Sequence, residues 1–164
     1  MGETAAAAQA RRDRVFLVMV DDSAERRVAL RYACLRARKS GGRVALLRVI
    51  EPAGQVEWAG VGAMLAEERR QDAETLLSGL AAEVTDLTGG LPILLIREGT
   101  PRDELLELLE EDPRISILVL AAATGGSGPG PLISALAGRY AAKLAVPMTI
   151  VPGNLSETEL DRVT

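Results

Sequence analysis

Apolar positions along this chain fall into two alternating textures. Short, nearly continuous runs occur at Val15–Val20, Val44–Ile50, Pro92–Ile96, Ile115–Ala121 and Val146–Val151. Runs of this length without polar alternation predict strands buried on both faces of a parallel sheet. Longer amphipathic stretches lie between them. Ser23 to Arg38 sets Val28, Tyr32 and Leu35 at helical spacing, with Arg26, Arg27, Arg31 and Arg38 elsewhere on the surface. Ser23 is the expected N-cap and Gly41-Gly42 the expected stop. Thr100-Pro101 open another helix as N-cap and first residue; Leu105, Leu108 and Leu109 face inward, and Pro113 ends it. A last helix is expected from about Gly138 to Leu144. The long connection from Glu51 to Gly90 is read as a loop holding Trp58, Gly60 and Gly62, then a helix from roughly Met64 to Leu87.

Strand–helix alternation with short connections implies right-handed βαβ units and a sheet covered on both faces. The expectation is a single doubly wound α/β domain over residues 13–152, consistent with a chain of 164 residues. An Ala-rich arm at 1–12 and a polar, loose tail at 153–164 flank it.

Composition narrows the chemistry. Half the chain is hydrophobic (48%), yet its aromatics are only Phe16, Tyr32, Trp58 and Tyr140, so the core must be aliphatic. That scarcity argues against a single-strand nucleic-acid reader, which stacks bases on aromatics. A net charge of −4 argues against binding a phosphate backbone. The chain has no histidine, which removes His-dependent triads, His metal sites and imidazole acid–base schemes. One cysteine, Cys34, allows no internal disulfide; it reads as a small core residue, because a redox sensor needs an exposed thiol of low pKa. Ala10 to Leu17 faintly resembles a twin-arginine signal, but the apolar run after it ends at Asp21-Asp22 after six residues. No run reaches the roughly 18 apolar residues of a membrane span. The expectation is a cytoplasmic chain that binds neither membrane nor nucleic acid.

Ligands of open α/β sheets bind beyond the carboxyl ends of the strands. Two segments there carry candidate chemistry. Asp21-Asp22-Ser23 follows the first strand, and Thr124-Gly125-Gly126-Ser127-Gly128-Pro129-Gly130-Pro131 follows the fourth. The glycines bring backbone amides close to a ligand without a Cβ in the way. A helix starting at Gly138 would add unpaired N–H groups suited to phosphate. Composition alone is equally compatible with a plain surface loop. A phosphoacceptor receiver domain is excluded, since the third strand ends without Asp and the fifth without Lys. Asp22 is expected to be solvated decoration of the helix that follows it.

Over residues 14 to 152 the chain resembles the universal stress proteins. Val18-Met19-Val20-Asp21-Asp22-Ser23 resembles their Val-Asp-x-Ser opening, and Leu46 to Pro52 their second strand, with Arg48 where His is usual. Glu98-Gly99-Thr100-Pro101 resembles the start of their third helix, and Ala145 to Val151 their closing strand. Gly125, Gly128 and Gly138 fall at the G-x2-G-x9-G spacing of the family's ATP-binding branch.

The resemblance implies an open five-stranded parallel sheet in the order 3-2-1-4-5. It implies ATP as ligand, with Mg²⁺ as the nucleotide's counter-ion. Met19, Asp21 and Val49 would then hold adenine or ribose, and Thr124, Gly125 and Gly128 ribose and phosphate. Gly138, Arg139 and Tyr140 would close on the terminal phosphates. Arg139 stands where the family pattern has Ser or Thr; it either forks onto phosphate or points to solvent. Pro129 and Pro131 remove two amide donors from the loop. The resemblance also implies a homodimer through the last strand, Val146 to Val151. A stress-response or signalling role with at most slow ATP hydrolysis is expected, because no general base is in view. The alternative is a nucleotide-free dimeric interaction module of the same family.

Overall fold

The computed structural model describes residues 4–12, 14–52 and 59–164. Five parallel strands form one sheet: β1 (Val15–Met19), β2 (Arg43–Ile50), β3 (Ile93–Glu98), β4 (Ile115–Ala122) and β5 (Met148–Pro152). Their order is β3-β2-β1-β4-β5, as the family resemblance implies. The six α-helices among the described residues are α1 (Ala5–Arg12), α2 (Arg26–Ser40), α3 (Ala59–Thr88), α4 (Pro101–Glu111), α5 (Pro131–Ala137) and α6 (Glu157–Val163).

Alternation along β1 separates two cores. Phe16, Val18 and Val20 face Ala29, Ala33, Cys34 and Ala37 of α2, together with Leu77 and Val84 of α3. Val15, Leu17 and Met19 face Leu105, Leu108 and Leu109 of α4 and Ile133 and Leu136 of α5. Every β1 residue is buried, as the unbroken apolar run requires. The alanines at positions 29, 33 and 37 repeat every four residues, presenting a flat face that lets α2 lie close to the sheet.

The edges depart from the expectation of strands buried on both faces. β3 is half-buried along most of its length, and Leu94 is 42% exposed, because β2 is its sole strand neighbour and no helix covers its outer face fully. β5 begins at Met148, two residues later than the apolar run suggests.

Helix boundaries carry further corrections. Ser23 does not cap α2. Its N–H and Oγ both donate to Asp21 Oδ1, at 3.0 and 2.6 Å, so the cap falls to Glu25. Gly41 closes α2 at φ 73°, a left-handed position natural to glycine. Thr100 and Pro101 open α4 as expected. The helix of the long connection starts at Ala59, so Gly60 and Gly62 are helical rather than looped; Trp58 lies outside the described residues. Glycine costs about 1 kcal/mol in a helix, and neighbouring Val61, Ala63, Met64 and Leu65 carry the helix through both positions.

Both flanks also hold helices. The Ala-rich arm contains α1, consistent with alanine's helix propensity. The polar tail contains α6, opened by a reciprocal capping box: Ser156 N–H donates to Glu159 Oε2 (2.8 Å) and Glu159 N–H to Ser156 Oγ (3.2 Å). Leu160 is buried in the α2-side core, and Asp161 pairs with Arg31 at 3.4 Å. The tail is therefore docked on α2.

Candidate functional site

Beyond the carboxyl ends of β1, β2 and β4 lie two adjacent clefts. The larger, about 690 Å³, is bounded by the ends of β1 and β2, by α3 and by the start of α4. The smaller, about 210 Å³, lies between the start of α2, the end of β4 and the start of α5. Met19, Asp21 and Leu132 line both, so the two are contiguous around the end of β1.

The larger cleft combines an apolar wall of Met19, Val49, Ala73, Leu76 and Leu132 with a charged lining. Its two arginines are engaged with the chain itself. Arg48 reaches from β2 to donate to the Val20 carbonyl at 3.1 Å and pairs with Asp22 at 3.1 Å. Asp22 is thus solvated, as expected, and is also an ion-pair partner of Arg48. Arg69 Nη1 donates to the Glu51 carbonyl at 3.1 Å. With Asp21, Asp22, Glu51 and Asp72 against these two cations, the cleft favours an uncharged, hydroxyl-bearing group over a polyanion.

The glycine segment follows β4. Ala123 N–H donates to the Pro129 carbonyl at 3.0 Å and closes the loop at its base. Gly126, Gly128 and Gly130 have φ of 83°, 87° and 108°, so side chains there would strain the backbone. A Cβ on Gly125, Gly126 or Gly128 would meet nothing within 4 Å, which leaves that face of the loop open.

Thr124, at the head of this loop, is already engaged. Glu25 Oε1 accepts from its N–H at 3.2 Å and from its Oγ1 at 2.9 Å. The Glu25 carboxyl is held below the usual range by its own backbone N–H, then by the Thr124 hydroxyl and amide. Gly153 accommodates the stem of that side chain. A Cβ there would lie 2.6 Å from Glu25 Cγ and 2.1 Å from the Ala122 carbonyl oxygen.

Gly138, Arg139 and Tyr140 lie elsewhere. Pro131 starts α5 early, and Ile133 and Leu136 supply its buried face, so Gly138 becomes the helix C-cap instead of its entrance. Its N–H donates to Ser134 O at 3.1 Å, and a Cβ would sit 2.9 Å from that same oxygen. In place of a helix from Gly138 to Leu144 there is one 3-10 turn, Ala141–Lys143. The Arg139 guanidinium lies 5.7 Å from the Tyr140 ring centre, with Lys143 at 5.5 Å and Arg102 of α4 at 4.3 Å. None of Gly138, Arg139 and Tyr140 lines either cleft.

The structure therefore gathers Met19, Asp21 and Val49, places Thr124, Gly125 and Gly128 on the loop beside them, and sets 138–140 apart. Sequence reasoning missed Glu25, Leu132 and the crossing of Arg48. Glu25 meets a partner 99 positions away, and local sequence carries no mark of that contact.

In open doubly wound α/β domains, clefts beyond the carboxyl ends of the strands at the switch in strand order are where ligands bind. The chain belongs to the universal stress protein family, whose sequence profile matches residues 14–152. A search of curated proteins finds no match. Among solved structures, the chain is similar to the universal stress protein UspA from Lactobacillus plantarum, at 17% identity and a TM-score of 0.70. That similarity covers 85% of this chain and 98% of the other. It is also similar to a universal stress protein in complex with cAMP: 19% identity, 86% and 98% coverage, TM-score 0.61. A universal stress protein family protein from Arabidopsis thaliana with AMP bound gives 15% identity, 88% and 95% coverage, TM-score 0.57. No helix among the described residues is long and apolar enough to cross a membrane.

Proposed function

We propose that this chain is a nucleotide-binding stress-response or signalling protein with little or no catalysis. Adenine and ribose enter the larger cleft against Met19, Val49 and Asp21, and phosphate extends toward the loop at Thr124 to Gly128. One observation carries this reading: the two clefts are contiguous, and they differ in the way the two halves of a nucleotide differ. The larger is roomy and apolar-walled; the smaller is lined by Ala123, Pro129 and Gly130, where the glycine loop leaves β4 and returns to α5. A volume of about 690 Å³ falls within the ordinary range for small-molecule sites. AMP and cAMP, bound by two structurally similar proteins, support an adenine nucleotide. ATP with Mg²⁺ is the fullest ligand that the family resemblance suggests.

At most slow hydrolysis of bound ATP is proposed. Protein purified without added nucleotide is expected to release an adenine nucleotide on denaturation, identified by mass. Calorimetry with AMP and with MgATP is expected to show saturable binding at up to millimolar concentration. Absence of both signals would favour a nucleotide-free interaction module. That second reading has its own observations: Thr124 is held by Glu25, and Gly138 presents no helix N-terminus. In either case the proposed quaternary state is a homodimer through the edge strand β5.

A further inference from the structure

We propose that Glu25 is the resident anion of the glycine loop, and that a phosphate chain must displace it. The inference rests on the nucleotide reading above and narrows the ligand class to nucleosides and nucleotides of short phosphate chain. Glu25 occupies the two donors at the head of the glycine loop, the N–H and Oγ1 of Thr124. Its carboxylate presents to them the same kind of anionic oxygen that a phosphate would.

The side chain is positioned for this by three elements. It projects from the N-cap of α2, its stem fills the space that Gly153 leaves by lacking a Cβ, and its oxygen meets the end of β4. Glu25 and Pro129 to Pro131 line the same 210 Å³ cleft, and neither proline has an N–H to offer in compensation. Arg26 lines it too, with its Nη1 donating to the Asp21 carbonyl at 2.7 Å. A phosphate brought within about 4 Å of the carboxylate meets like-charge repulsion and finds the two Thr124 donors taken. A nucleoside in the larger cleft meets neither obstacle.

The test titrates adenosine and sodium tripolyphosphate separately into the full chain and into Glu25→Gln and Glu25→Ala. Thermal melts establish that each variant is folded. Tripolyphosphate is expected to bind Glu25→Ala at least about tenfold more tightly than the wild type. Glu25→Gln, which keeps an acceptor but loses the charge, is expected to fall between them. Adenosine is expected to bind all three alike. Tripolyphosphate affinity that is equal in the three proteins, or absent from all three, overturns the role of Glu25. Adenosine binding to none of them overturns the nucleotide reading instead; a tripolyphosphate difference would then still assign Glu25 to the loop's donors.

Discussion

Phe16→Ala is expected to cost about 4 kcal/mol of folding stability and to lower the melting temperature by about 10 °C. Phe16 is the chain's one phenylalanine, and it is 1% exposed on the central strand. Its ring is the largest fully buried side chain of the α2-side core, whose other buried members are Ala, Val, Leu and Cys. A Cβ added to Gly42 would sit 3.3 Å from Phe16 Cε2, so the ring fills the space as far as the backbone entering β2. Removing it leaves a void bordered by the alanines of α2, which have no length with which to reach in. The remaining cavity adds to the lost transfer energy. Denaturant unfolding at fixed protein concentration measures the loss, with Leu91→Ala, at a position 73% exposed, as the near-neutral control. A loss below about 1 kcal/mol would mean that α2 settles onto the sheet and that the core is less rigid than its packing implies.

Ile150→Lys is expected to convert the proposed dimer to monomer. The carbonyl of Pro147 accepts from Leu118 N–H at 2.9 Å, which fixes the phase of the β4–β5 ladder. In a parallel pair, successive residues turn their backbone groups to opposite sides. Thr149 is therefore turned toward β4, and Met148 and Ile150 toward the open edge. Ile150 also leaves its side chain 42% exposed. An edge strand with free backbone groups and no charge invites a second copy, and two-fold pairing closes the assembly. A lysine at this edge is the device natural sheets use against such pairing. Light scattering at micromolar concentration is expected to give twice 17.4 kDa for the wild type and 17.4 kDa for Ile150→Lys. A wild type already at the lower mass, or a variant that stays at the higher, would exclude β5 as the interface.

The parts of the fold legible in the sequence are those where burial is uniform. β1 and the middle of β2 and β4 are covered on both faces, and their apolar runs say so without ambiguity. α4 announced itself through Thr100-Pro101 and three inward leucines. β3 opens with an apolar run of the same kind yet lies at an edge, a fact of strand order and not of local pattern. Ser156 and Glu159 carried a readable start signal for α6, but the surrounding polarity suggested a loose tail; Leu160 and Leu155, with ion pairs from Arg31 to Glu157 and Asp161, dock so short a helix. Gly138 was misplaced because a glycine can open or close a helix, and Pro131 seven positions earlier decided the matter. In the candidate site, Asp21, Met19 and Val49 were legible because each follows from strand ends and family pattern together. The Glu25–Thr124 contact was not, since it joins α2 to β4 only after both have packed on the sheet.

The burial of Cys34 makes the molecule its own reporter of opening. The thiol is fully enclosed beneath α2, and its pKa is pushed up to about 12, chiefly by burial and then by Glu83, against the pull of Arg31. At neutral pH the closed form offers a reagent neither access nor thiolate. Alkylation therefore proceeds through molecules in which α2 has lifted from the sheet, and its rate under native conditions counts them. Since the chain has no second cysteine, that count needs no engineered label and no mutation.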